Sequence, residues 1–132
     1  MTSLRGRKGQ KARDSGRRAE WAAALLLMAK GYRILGMRLA TPQGEVDLVV
    51  QRGRVLAVVE VKRRRTLEEA LLAVSFGQRQ RLRRAGAGLA AAGGTRNAPE
   101  VVRLDLVALA PGRWPRHIPD AWPDSGLASG PY

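Results

Sequence analysis

The chain has 132 residues, enough for one domain with a single core and too few for two. Its 24 Lys and Arg against 11 Asp and Glu give a formal net charge of +13, which implies a polyanionic partner; nucleic acid stands ahead of an anionic membrane because no isolated basic amphipathic helix is present. The absence of cysteine excludes disulfides and thiolate–metal sites, and the longest apolar run, Trp21 to Ala29, is too short for a bilayer and lacks a signal-peptide cleavage site before Lys30, so a cytoplasmic, membrane-free protein is expected.

Residues 1–14 are polar and basic with little to bury, and are expected as a flexible arm ahead of a domain over 15–122 and a C-terminal tail over 123–132. Asp14 or Ser15 can cap a helix from about Gly16 to Lys30, which Gly31 ends. Tyr32 to Leu39 suits a first strand. Pro42 and Gly44 break the chain before a second strand, Glu45 to Gln51, and Arg52-Gly53 reads as a two-residue turn into a third, Arg54 to Lys62. After the basic loop Arg63, Arg64, Arg65, one long helical pattern runs to about Gly93-Gly94 with an apolar stripe of Leu71, Val74, Leu82, Ala85 and Leu89. Val101 to Leu109 is a fourth strand, and a proline-rich tail follows with room for one short strand. The order helix, three strands, helix, strand predicts an α/β fold with a mixed sheet flanked by helices.

The hairpin holds the chemical clue. With Arg52 and Gly53 as turn residues, Val49 pairs with Leu56, Asp47 with Val58 and Glu45 with Glu60. Side chains alternate along a strand, so one face carries only Val46, Leu48, Val50, Val55, Ala57, Val59 and Val61. The other is apolar near the turn and charged at its far end, where Glu45, Asp47, Glu60 and Lys62 lie. Asp47 and Glu60 are then diagonal neighbours, roughly 7–8 Å apart. Carboxylates that close can share a divalent cation and repel one another without it. Oxygen-only ligation in an open coordination sphere suits Mg²⁺ or Mn²⁺. Lys62 points the same way and can orient a water or steady charge on a phosphate. The plain alternative is a sheet edge with exposed Glu–Lys pairs, each worth little.

Glu20 shares a helix face with Ala24 and Leu27, which sets a carboxylate on or beside a packing surface; interaction with the helix dipole is the plain alternative. Gln78 lies on the apolar stripe between Val74 and Leu82 and needs a hydrogen-bond partner, in the core or in the same cleft.

At these residues the chain resembles the YraN-like family of predicted bacterial endonucleases, relatives of archaeal Holliday-junction resolvases in the restriction-endonuclease-like superfamily. The resemblance rests on Gly16-Arg17-Arg18-Ala19-Glu20, on Gly31-Tyr32-Arg33-Ile34-Leu35, on Gly44-Glu45-Val46-Asp47-Leu48-Val49 and on Val58-Val59-Glu60-Val61-Lys62. Val74, Arg81-Leu82, Arg103-Leu104-Asp105 and His117-Ile118 fit its later pattern, so that it covers about residues 14–122. It implies an αβββαβ core, metal ligands at Asp47 and Glu60, a catalytic lysine at Lys62, and Glu20 reaching the site from the first helix, with Mg²⁺ or Mn²⁺ as cofactor. Glu45 falls in the same block, with an outer role or none. Gln78 stands where the family usually has a lysine, and Arg38 and Ala40 where it usually has an asparagine and an arginine.

His117 is the only histidine, so a histidine-based or zinc site is not expected. Trp114 and Trp122 can stack on bases but read as pins for the tail, and Asp105 as structural. The expected function is therefore Mg²⁺-dependent hydrolysis of phosphodiester bonds in nucleic acid, with DNA, branched DNA included, favoured by analogy. The alternatives are a catalytically idle nucleic-acid-binding protein that keeps the nuclease fold, and a basic assembly protein of a ribonucleoprotein. A homodimer would suit a two-fold junction substrate.

Overall fold

Segments rich in aliphatic residues at Val46–Val50, Val55–Val61 and Val101–Val107 build the centre of a five-stranded sheet. The computed structural model describes residues 4–93 and 97–123, with side chains from residue 16 onward. Along the chain run α1 (Leu4–Ala29), β1 (Arg33–Thr41), β2 (Gly44–Arg52), β3 (Val55–Arg63), α2 (Leu67–Leu72), α3 (Phe76–Ala91), β4 (Val101–Leu109) and β5 (Arg116–Ile118). The sheet order follows the chain, β1-β2-β3-β4-β5. The pairings are antiparallel except β3–β4, which are parallel and joined by the α2–α3 crossover. This is the mixed, helix-flanked α/β architecture expected, and it is compatible with a restriction-endonuclease-like core. Among the described residues no helix is long and apolar enough to cross a membrane.

Three local expectations are corrected. The first helix begins at Leu4 rather than near Gly16, so residues 4–14, expected as an arm, are helical. Its end is as expected: Gly31 takes φ 91°, its amide bonds to the Met28 carbonyl and that of Tyr32 to the Leu27 carbonyl, a glycine stop. The β2–β3 turn residues are Gly53-Arg54, not Arg52-Gly53, because Arg52 pairs with Val55. Gly53 has φ 60°, and a glycine at the first central position is what a type II′ hairpin turn requires. Finally, the single long helix is two. Ser75 leaves the helical region, and its side chain caps α3 by accepting from the Gln78 amide, as Thr66 caps α2 through Glu69.

The two sheet faces bury separate clusters. Leu48, Val50, Ala57, Val59 and Val107 pack with Ala23, Ala24 and Leu27 of α1. Val49, Leu56, Val58, Leu104 and Leu106 pack with Ala70, Val74, Leu82 and Ala85 on the α2–α3 side. α3 comes so close that a Cβ on Gly86 would lie 2.7 Å from Val102 and 2.9 Å from Val58. Val46 breaks the alternation and joins the α2–α3 side, away from Leu48. The change of face falls opposite Arg38, which takes φ 48° in β1 between the pairs Met37–Leu48 and Leu39–Val46.

Candidate active site

The site forms where β2 and β3 part. Their pairing ends at Leu48–Val59, a two-residue correction of the expected register, and Asp47 and Glu60 are the next residues along each strand. Asp47 does not complete the ladder with its backbone. Its side-chain Oδ2 accepts the Val61 amide at 2.9 Å. Glu60 is buried, and its Oε1 lies 3.2 Å from Lys62 Nζ. From α1, Glu20 is also buried and takes a hydrogen bond from Arg38 Nε. Glu20, Asp47, Glu60 and Lys62 line one open pocket of about 450 Å³, together with Arg63 and Arg64.

Both central carboxyls are pushed above their ordinary range. For Asp47 burial is the main cause, with the charge of Glu20 adding to it and the Val61 amide opposing it. For Glu60 burial comes first and the charge of Asp47 second, against the pull of Lys62. Like charges that share a partly buried pocket are costly unless a cation compensates them. Lys62 compensates one oxygen of Glu60, while among the described residues Asp47 Oδ1 and Glu60 Oε2 have no hydrogen-bond partner. Two neighbouring oxygens of this kind fit a hard divalent cation that keeps most of its waters. A preformed cage is not present: among the described residues no three Asp, Glu or His side chains converge as a metal cluster. Glu20 instead faces Arg38.

Two predicted residues stay outside the pocket. Glu45 is exposed, and its contribution is a carbonyl that accepts from Arg81 at 3.3 Å. Gln78 is half-buried in the first turn of α3 and lines no part of the acidic pocket. Two arginines near the site were not assigned to it from sequence. Arg38 was noted only as a departure from a family pattern, and Arg81 reaches across from α3 to the Gln43 carbonyl at 3.0 Å, its charge favouring ionised Glu60. A basic residue in a left-handed strand position leaves no periodic trace, so Arg38 had no signal beyond its unusual place.

Residues 19–109 match the uncharacterised protein family UPF0102. The chain belongs to that family. It is 68% identical over 120 residues to a UPF0102 protein of Caulobacter sp. (strain K31), covering 90% of this chain and 85% of the relative. A UPF0102 protein of Caulobacter vibrioides (strain NA1000 / CB15N) is 65% identical over 120 residues, covering 90% and 94%. One from Parvibaculum lavamentivorans (strain DS-1) is 51% identical over 108 residues, covering 81% and 80%. The UPF0102 span opens beside Glu20 and closes at the end of β4, so it contains all four residues of the acidic pocket and leaves out β5 and both tail tryptophans.

Proposed function

We propose that this UPF0102 protein is a divalent-metal-dependent endonuclease of the YraN-like kind, acting on phosphodiester bonds of DNA. The observation that carries the reading is the pair Asp47–Glu60, the first half-buried and the second buried, both with raised pKa values, in one pocket with Lys62 at the parting strands of an α/β sheet. Mg²⁺ or Mn²⁺ held by Asp47 and Glu60 would supply Lewis acidity toward a phosphate and a more acidic water. Val61 fixes the Asp47 carboxylate through its amide. Lys62 holds Glu60 in the pocket and is placed to orient a water or meet charge developing on a phosphate oxygen. Exposed Arg63 and Arg64 on the pocket rim suit the flanking phosphates, as does the net charge of +13.

One observation favours a second reading, the idle nucleic-acid binder: Glu20 is engaged by Arg38 rather than by the carboxylate pair. Cleavage of a panel of duplex, flap and four-way-junction DNA, with Mg²⁺ and with EDTA, decides between them when Glu60→Gln is run in parallel. For the enzyme, Glu60→Gln abolishes Mg²⁺-dependent cleavage yet keeps or tightens metal-free DNA binding, because one charge that repels phosphate is gone. For the idle binder, neither protein cuts any substrate.

A further inference from the structure

The two tail tryptophans have different fates. Trp122 is buried and its Nε1 donates to the Leu71 carbonyl at 3.1 Å, so it fastens the tail to α2 as expected. Trp114, expected to do the same, is 89% exposed. Its surroundings are basic. Arg18 of α1, Arg63 of β3, Arg64, Arg65 and Arg113 converge on one cleft of about 600 Å³. That cleft shares Ala19, Arg63 and Arg64 with the acidic pocket. On its other side it shares Arg64, Arg65 and Arg113 with a smaller cleft of about 290 Å³, which adds Arg116 and the Trp114 ring, with Glu68 also on its wall. The three form one groove from the carboxylates to the indole.

Among the described residues none of these six arginines has a carboxylate within ion-pair distance. Like charges gathered in a cleft repel, and guanidinium forks match phosphate oxygens. A row of phosphates answers both facts. It does not explain the indole. A paired duplex turns its backbone outward and keeps its base faces stacked inside, leaving nothing flat along its length, its two ends apart, for an exposed ring to cover. An unpaired strand offers both phosphates and free base faces. We propose that the groove carries an unpaired DNA strand away from the acidic pocket, its phosphates on the arginines and one base stacked on Trp114. The substrate class is then DNA with a single-stranded arm beside the cut site, such as a flap or splayed end. The identity of the cut site rests on the nuclease reading, whereas the strand binding needs no chemistry.

The test is equilibrium binding of the whole chain in EDTA to a blunt duplex and to the same duplex bearing an oligothymidine arm. The wild type is expected to prefer the armed duplex. Trp114→Ala should weaken armed-duplex binding about 5- to 10-fold, within the usual range for loss of one base–aromatic stack, and leave the blunt duplex within about twofold. Trp114→Phe should keep most of the preference, and Trp21→Ala, an exposed tryptophan outside the groove, should change neither. Equal loss on both duplexes, loss on neither, or no wild-type preference overturns the proposal. Preference without Mg²⁺-dependent cleavage removes the nuclease reading alone; cleavage without the preference removes the groove proposal alone.

Discussion

The Val61 amide donates to the side chain of Asp47, not to the backbone of β2, at the point where the two strands separate. That bond replaces a ladder hydrogen bond and clamps a carboxylate next to Glu60. Asp47→Asn should keep it, since an amide oxygen accepts as a carboxylate does. The fold should therefore survive while Mg²⁺-dependent cleavage is lost. In EDTA at neutral pH the variant should be more stable than the wild type, because a raised carboxyl pKa means that ionisation opposes folding. Thermal unfolding with EDTA and with Mn²⁺ measures this. A variant less stable in EDTA would make Asp47 a structural acceptor only.

The hairpin shows why the site was legible in sequence although its register was not. Moving the turn from Arg52-Gly53 to Gly53-Arg54 shifts each partner by two residues, Val49 from Leu56 to Val58. A two-residue slip leaves every side chain on its face, where a one-residue slip would have reversed them all. So Asp47, Glu60 and Lys62 come together under either register. Periodicity also gave β4 its limits, Val101–Leu109. It was blind to events that keep the apolar pattern: the Ser75 cap lies between Val74 and Leu82 without interrupting the stripe, and Val46 packs on the other face from Leu48, opposite the left-handed Arg38. Nor does composition separate two tryptophans in one proline-rich tail, one buried and one bare.

Acid stability should depend on Asp105. It is fully buried and bonded to His117, Arg103 and the Asp120 amide. Burial pushes its pKa up, but the His117 and Arg103 hydrogen bonds outweigh that and hold it below the ordinary range. A depressed carboxyl stabilises the fold above its unfolded-state pKa of about 3.9, and that contribution fades as pH falls toward the folded value. Asp47 and Glu60 have the opposite sign, withdrawing stability as pH rises through their raised values. Asp105→Asn should cost about 3–5 kcal/mol at pH 7, as removal of one partner from a buried ion pair does. Urea unfolding should also show a shallower loss of stability on acidification. An unchanged midpoint at neutral pH would mean that the cluster does not hold the tail to β4.

DNA binding should weaken steeply with salt. Occupation of the five arginines in the main cleft by about 5 phosphates of an unpaired strand gives a slope of log K against log salt of roughly −3 to −4 on the armed duplex. Replacing Arg63, Arg64 and Arg65 with alanine should make that slope shallower by roughly 2–3. Fluorescence anisotropy over a salt series reads both values, and a flat response in the intact chain would point to a ligand without phosphates.

Arg38 and a divalent cation bound as proposed would compete for the same carboxylate, that of Glu20. Glu20 is buried and close enough to Asp47 for its charge to raise that carboxyl, yet it is engaged by Arg38. While that ion pair holds, one oxygen of Glu20 and part of its charge are taken up by Arg38, so the pair should act as a brake on metal binding. Arg38→Ala removes the brake and leaves Glu20 buried beside like charge. In EDTA the variant should be less stable, because Glu20 stays buried without its partner. Mn²⁺ should restore more stability to the variant than it adds to the wild type, because Glu20 is then released to join Asp47 and Glu60. Calorimetric titration with Mn²⁺ should correspondingly show tighter binding, and Glu20→Gln in the Arg38→Ala background should return the affinity to that of the wild type. If Arg38→Ala weakens Mn²⁺ binding, then Arg38 orients Glu20 toward the metal and does not withhold it, and the acidic cluster works through a positioned carboxylate rather than a released one.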